Sequence, residues 1–218
     1  MDRVPSILLN VLIALGVVTW TTFALADPIG TVDFIAGHVA LTHLGIRQPL
    51  QEGTKIDEGD GIVTESDGEV HLDMVDGAAL SVRPGSSITL SKYGLSENDS
   101  ILISLTKGAL RSVTGWLGHL RPSRYSVLTP TATIGIRGTD HETTYEPDGD
   151  SAGTYERVFE GSTYLQDQSG NKLDAKPGAA IETARRMNSA GLSSICIRII
   201  STCISCTRSQ PLRRWSGR

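Results

Sequence analysis

Apolar and polar residues alternate along most of the chain between residues 29 and 181, the pattern of strands that bury one face. In the segment "EVHLDM" the side chains of Val70, Leu72 and Met74 point to one side of the strand. The alternation has the two-residue period of a strand and not the longer period of a helix. We therefore predict many short strands and no substantial helix in this region.

Turn-forming residues separate the predicted strands. Asp76-Gly77 is a tight-turn sequence between two alternating runs, and "SDG" (66–68) and "RPGS" (83–86) mark further turns. The runs at 101–105 and 108–113 predict two more strands. The stretch 115–123 is ambiguous, because its Trp and Leu residues are able to cap an open end of the core.

Composition supports an all-β fold. The chain of 218 residues contains 23 glycines, and only 5% of its residues are aromatic. Average usage would give about 15 glycines in this length. We predict short antiparallel strands in solenoid-like or sandwich-like units, with a core of Val, Ile, Leu and Ala.

A similar pattern occurs near both ends of this β region. Residues 37–56 and 161–181 share a leading glycine, a leucine four positions later, a further glycine and a final isoleucine. Two copies do not form a repeat array, but they predict a chain that begins and ends with the same β unit.

Residues 1–26 are typical of an export signal. Arg3 precedes a mainly apolar run (7–18), and "ALA" (24–26) supplies the small residues of a cleavage site. Cleavage after Ala26 would place the rest of the chain in the periplasm. If the segment were kept, it would be just long enough to anchor the protein in the inner membrane.

Charge divides the chain into two parts. Residues 182–218 contain seven arginines and one acidic residue, whereas residues 1–181 contain 13 basic and 23 acidic groups. An acidic body argues against nucleic acid as a partner, because phosphate binding needs a basic surface. The domains predicted are a signal peptide at 1–26, an all-β domain at 27–181 and a disordered basic tail at 182–218.

All three cysteines fall in this tail, so no disulfide is predicted in the body. Cys203 and Cys206 have the CxxC spacing, but a structural zinc site needs about four ligands and no histidine lies nearby. An unpacked tail is the simpler interpretation, and we predict no metal and no cofactor.

The segment "TPTATIGIRGTDHETTY" (129–145) contains the most promising polar residues. On a strand, Asp140 and Glu142 lie on one face and His141 on the other, so the three do not converge on a metal or substrate. Arg137 beside Gly138 and Thr139 suggests either anion capture or a structural corner. We favour the corner, with Arg137 held by a carboxylate or carbonyl, Glu160 being one candidate.

Signatures of common catalytic and nucleotide sites are missing from the sequence. It has no HExxH motif, no GxSxG elbow and no P-loop. No pair of carboxylates stands out as that of a glycosidase. We predict no catalytic residues and no small-molecule substrate.

Several spaced motifs resemble the FecR domain, a bacterial extracytoplasmic module. A "TP" pair, Thr129-Pro130, is followed by "RGT", and a "GD" pair precedes a "DG" turn and a closing "EG" block. The residues that carry these motifs, taken as structural signature positions, are Gly59, Asp60, Gly77, Thr129, Pro130, Arg137, Gly138, Thr139 and Gly161. The resemblance extends over residues 30–181.

The resemblance implies an all-β domain without catalytic residues that takes part in envelope signalling, with a family link to iron transport. The chain has no cytoplasmic anti-sigma segment before its apolar run, so it looks more like the exported stand-alone members. We predict a module that binds an envelope protein partner through sheet edges or the Trp116 region. The alternatives are a structural protein associated with envelope polysaccharide and an enzyme that acts on it.

Overall fold

The structure is a computed structural model that describes residues 27–96, 98–120, 122–149, 151–187 and 193–199. The predicted signal peptide at 1–26 and the second half of the tail, including Cys203 and Cys206, lie outside the described residues. In the part that is described, no helix is long and apolar enough to span a membrane.

Seventeen strands account for most of the described residues. The strands are β1 (Gly30–Ala36), β2 (Val39–His43), β3 (Ile46–Pro49), β4 (Lys55–Ile56), β5 (Gly61–Thr64), β6 (Glu69–Met74), β7 (Ala79–Val82), β8 (Ser87–Tyr93), β9 (Ile101–Val113), β10 (Tyr125–Leu128), β11 (Ala132–Ile136), β12 (Asp140–Glu146), β13 (Gly153–Glu160), β14 (Thr163–Asp167), β15 (Lys172–Ala175), β16 (Ala180–Met187) and β17 (Ser193–Ile199). A short helix, α1 (Trp116–Leu120), and a 3-10 turn (Pro122–Arg124) join β9 to β10. The predicted all-β fold is confirmed.

The strands form two layers that share β9. Sheet A has the order β4-β1-β6-β7-β9-β12-β13-β16-β17, and sheet B has the order β3-β2-β5-β8-β9-β10-β11-β14-β15. Neighbouring strands are antiparallel except β9 and β10, which run parallel. The buried side chains of both sheets form one core, as in a sandwich.

The buried side chains follow the alternation read from the sequence. Val70, Leu72 and Met74 of β6 are buried, as are Leu80 and Val82 of β7. Their neighbours in sequence face outward from sheet A. Burying this many aliphatic side chains is the main stabilising contribution, at about 1.5–3 kcal/mol for each large one.

Strand β9 is continuous where the sequence predicts two strands. Its first part pairs with β8 and β10 in sheet B, and its last part pairs with β7 and β12 in sheet A. Gly108 lies between the two parts with φ of +82°, and a Cβ there would lie 2.2 Å from Oγ of Ser86. At this glycine the alternation of buried and exposed side chains shifts by one residue. The shift keeps the apolar side chains inward as the strand passes from one sheet to the other.

The two similar segments form equivalent hairpins at opposite edges of sheet B. The β2–β3 hairpin pairs Ala40 with Pro49, and the β14–β15 hairpin pairs Tyr164 with Asp174. After each hairpin a glycine donates its amide to a valine carbonyl in sheet A: Gly53 to Val32 at 2.8 Å, and Gly178 to Val158 at 3.1 Å. The β region therefore does begin and end with the same β unit.

The sheet continues beyond residue 181, where the predicted tail begins. Strand β16 runs to Met187 and pairs with both β13 and β17. Thr183 is buried, and its hydroxyl accepts a hydrogen bond of 3.0 Å from the amide of Thr154. Backbone pairing with β13 and β17 thus places this segment in sheet A although it lacks a clear apolar period.

Removing residues 182–218 should therefore destabilise the domain. The truncation deletes most of β16 and exposes the edge of β13, at an expected loss of about 1–3 kcal/mol from unsatisfied buried hydrogen-bonding groups. Thermal unfolding followed by circular dichroism would show a melting temperature several degrees below that of the parent. An unchanged melting temperature would mean that β16 adds nothing to the fold.

Candidate functional site

The "TP" pair forms the turn between β10 and β11. The Thr129 amide and hydroxyl both donate to the carbonyl of Ala132, at 2.9 and 3.0 Å, which closes the turn. Pro130 is the second residue of this turn, where its fixed φ is favourable, and not at a strand start or edge. Its missing amide therefore costs no ladder hydrogen bond.

Gly138 and Gly161 meet backbone to backbone at the corner before β12. Gly138 has φ of +66°, and a Cβ there would lie 2.4 Å from Nδ1 of His119. Gly161 has φ of +78°, and its Cβ would lie 2.0 Å from the Gly138 carbonyl oxygen. Both positions thus favour glycine for conformation, and Gly161 also requires it for space because the atom it would meet belongs to the backbone.

Thr139 fastens this corner to the end of β9. Its amide donates to the Thr114 hydroxyl at 2.8 Å, and its carbonyl accepts from the Thr114 amide and hydroxyl at 2.9 and 2.7 Å. Both threonines are buried. The "RGT" sequence thus forms a structural corner.

Arg137 lies on the surface beside this corner. Its guanidinium is 3.5 Å from Asp174 on β15 and lies over the Tyr164 ring, 5.3 Å from the centroid. Lys172 covers the same ring at 3.5 Å. The partner is Asp174 and not Glu160, because β11, which ends next to Arg137, pairs with β14, and β14 pairs with β15.

Arg137→Ala should cost little stability. The Arg137 and Asp174 side chains are 43% and 60% exposed, and exposed ion pairs contribute about 0–1 kcal/mol. Chemical denaturation should show a free energy of unfolding within that margin of the parent. A loss of several kcal/mol would indicate that the packing over Tyr164 is much stronger than exposed cation–π contacts usually are.

Gly77 and Gly59 occupy turns with positive φ, at +74° and +91°, and both face open space.

Asp60, next to Gly59, is almost fully buried, and its carboxylate accepts a hydrogen bond of 2.8 Å from the amide of Asp57. Its other oxygen lies 2.6 Å from Nδ1 of His43, and this hydrogen bond raises the pKa of His43. Sequence reasoning missed His43 and Asp57, because their separation along the chain matches no recognisable ligand spacing.

His141 and Glu156 form a buried pair between β12 and β13. Both side chains are fully buried, and Nδ1 of His141 lies 3.0 Å from Glu156 Oε1. The Thr143 hydroxyl donates to the other carboxylate oxygen at 2.6 Å. The buried histidine agrees with the strand periodicity, whereas its partner on the neighbouring strand had no signal in the sequence.

Asp140 and Glu142 point away from His141 and join an ion-pair network on the outer face of sheet A. Asp140 accepts two hydrogen bonds from Arg111, at 2.9 and 2.7 Å. Arg83 bridges Glu142 and Glu69, at 3.3 and 2.9 Å. The network neutralises charges across β6, β7, β9 and β12, so these carboxylates have a structural explanation.

Asp140→Asn should destabilise the protein in a pH-dependent manner. The Arg111 hydrogen bonds lower the pKa of Asp140, so their contribution is present above the unfolded pKa near 3.8 and is lost as pH falls through the folded value. We expect the variant to lose about 1–2 kcal/mol at pH 7, between surface and buried pairs. Urea unfolding at several pH values should show this difference shrinking below pH 4, and a constant difference would contradict the ionic origin.

Two buried tyrosines lie beneath α1. The Tyr93 hydroxyl donates to Asp76 at 2.6 Å, and Tyr125 shares a hydrogen bond of 2.7 Å with Ser112. Burial raises the pKa of both phenols well above the usual range, so both stay protonated. The Asp76 carbonyl accepts the Trp116 amide at 3.1 Å, which fixes the start of α1 on the turn between β6 and β7.

This attachment leaves apolar side chains exposed around α1. Trp116 is 51% exposed and Leu120, one helical turn later, is 69% exposed. Val75, beside Asp76, and Val113, at the end of β9, are also exposed. We call these four residues the α1 surface. Of the residues expected to cap the core, Leu117 is buried, whereas Trp116 and Leu120 are exposed.

Comparison with known proteins gives one family match. Residues 60–163 match the model of the family described as FecR protein. No curated protein matches the chain.

Two crystal structures of a candidate anti-sigma factor from Parabacteroides distasonis ATCC 8503 are similar in three dimensions. Both are 14% identical to this chain, with TM-scores of 0.48 and 0.46, and the alignments cover 63% and 62% of it. The chain spans 58% and 57% of the length of those two chains.

The family match begins at Asp60 and includes every predicted signature position except Gly59. It ends at Thr163, the first residue of β14, so it includes the "RGT" corner and the turn before it. The resemblance read from the sequence is thus confirmed over residues 60–163, the part of the chain that matches the FecR family model.

Proposed function

We propose that this protein is an exported, non-enzymatic module that regulates envelope signalling by binding another envelope protein. The FecR match supports a regulatory role. The signature residues of the "RGT" corner support it too, because their contacts are those of a structural corner of the fold.

The observation that carries the binding proposal is the α1 surface. Trp116 and Leu120 are exposed on the same side of a short helix that is held in place by Asp76. Exposed tryptophan is costly to leave in water and is enriched where proteins bind one another. An apolar group on a fixed backbone also loses little entropy on binding.

Site-specific photo-cross-linking in intact cells tests this surface. A benzoylphenylalanine at position 116 of the full chain should form a discrete adduct with one envelope protein. The control probe is placed at Leu44, which is 90% exposed at the tip of the β2–β3 hairpin, at an edge of the other sheet. Equal adducts at both positions, or none at position 116, would reject the α1 surface.

The location of the protein is a second part of the proposal. The apolar run and "ALA" (24–26) support export with cleavage after Ala26. N-terminal sequencing of protein from the periplasmic fraction should begin at Asp27. An intact Met1 in the membrane fraction would support the anchored form, and protein confined to the cytoplasm would overturn the proposal.

A further inference from the structure

Three potential metal ligands meet where the β2–β3 hairpin contacts the turn between β4 and β5. One nitrogen of His43 and one oxygen each of Asp57 and Asp60 all lie within 4.8 Å of one another. Among the described residues, no other group of three His, Cys, Asp or Glu side chains comes this close. We propose that His43, Asp57 and Asp60 bind a divalent transition-metal ion, with Zn²⁺ as the best match.

The donor set selects the class of metal. One imidazole and two carboxylates suit Zn²⁺ and its first-row neighbours, whereas Ca²⁺ and Mg²⁺ prefer sites made of oxygen alone. Three protein ligands leave one position of a tetrahedral ion for water or another small ligand.

Of the two distances from His43 to the carboxylates, one is shorter and the other longer than the distance between neighbouring ligands in a zinc site. Metal–ligand bonds of 2.0–2.2 Å place neighbouring tetrahedral donors about 3.4 Å apart. Nδ1 of His43 is 2.6 Å from Asp60 and 3.9 Å from Asp57. Small rotations of the half-exposed His43 and Asp57 side chains would bring both distances to the required value, while Asp60 stays in place.

The carboxylate of Asp60 is already oriented as a ligand. It is 2% exposed, and its second oxygen accepts the Asp57 amide at 2.8 Å, which orients the carboxylate toward His43. Such supporting hydrogen bonds fix ligands in position and strengthen metal binding. The cluster also opens to solvent, because His43 and Asp60 line a surface cavity of about 370 Å³ together with Thr42, Glu58 and Thr89.

A second histidine–aspartate pair provides a matched control. His38 and Asp67 are 2.9 Å apart, almost the same contact as between His43 and Asp60. Both side chains of this pair are more than half exposed, and it belongs to no group of three ligands among the described residues. If a histidine–aspartate contact alone bound metal, the two pairs would behave alike.

Isothermal titration with Zn²⁺ tests the site on the untagged full chain, in which Cys196, Cys203 and Cys206 are replaced by serine so that thiolates do not compete. We expect one ion per chain, an affinity at least tenfold weaker in His43→Ala and in Asp57→Asn, and an unchanged affinity in His38→Ala. Circular dichroism confirms folding, and the half-exposed Asp57 makes Asp57→Asn the safer variant. Absent binding, or binding that survives both changes, would overturn the site without affecting the proposed signalling role.

Discussion

Glu156→Ala should lower the free energy of unfolding by about 3–5 kcal/mol, the cost of breaking a buried pair by removing one partner. The side chains of His141 and Glu156 are both fully buried, and Nδ1 of His141 lies 3.0 Å from Glu156 Oε1. The change also removes the acceptor of the Thr143 hydroxyl, which is buried as well. Urea unfolding at pH 7 measures the loss.

A matched control separates burial from charge. Glu142 lies on the neighbouring strand β12 and on the outer face, where its side chain is 26% exposed, so Glu142→Ala should cost about 0–1 kcal/mol. Replacing the whole pair, His141→Leu with Glu156→Leu, should recover much of the stability lost in Glu156→Ala, because apolar residues often replace buried ion pairs without loss. If Glu156→Ala and Glu142→Ala both lowered the free energy of unfolding by the same small amount, the buried pair would not contribute to stability as proposed.

Gly161→Ala should cost more than about 3 kcal/mol or prevent folding. An alanine Cβ would lie 2.0 Å from the Gly138 carbonyl oxygen, in a backbone conformation of φ +78° that L residues rarely adopt. The two backbones would have to separate, which would also displace Thr139 and its hydrogen bonds to Thr114. Thermal unfolding, together with the yield of soluble protein, measures the effect.

Gly77→Ala is the control for this change. Gly77 has nearly the same φ, +74°, but nothing lies within 4 Å of the position of its Cβ. Its substitution therefore carries only the conformational cost, about 1–2 kcal/mol. If Gly161→Ala and Gly77→Ala melt at the same temperature, the close approach of Gly161 to Gly138 adds nothing to the loss of stability.

Strand periodicity alone determined the fold class and most of the core. Leu80 and Val82 are buried because their alternation with polar neighbours leaves only one face able to leave water. The similar segments at 37–56 and 161–181 also identified corresponding hairpins, since in each segment a glycine of positive φ lies before the hairpin and another lies after it. Local sequence sufficed where the deciding interactions were local.

The same applies to part of the "RGT" corner. The sequence predicted a structural corner at Arg137-Gly138-Thr139, and it predicted that His141 faces away from Asp140 because successive side chains alternate along a single strand. It did not indicate that Arg137 pairs with Asp174, because that contact depends on which strands are neighbours.

Only the tertiary structure decided the contacts between residues distant in the chain. β9 joins both sheets, and β16 and β17 extend sheet A beyond residue 181, because strand pairing depends on an available edge and not on the sequence of one strand. The His141–Glu156 pair and the meeting of His43 with Asp57 and Asp60 depend on the same pairings. Sequence periodicity sets which face of a strand is buried, whereas the neighbours on that face are set by the order of the strands in the sheets.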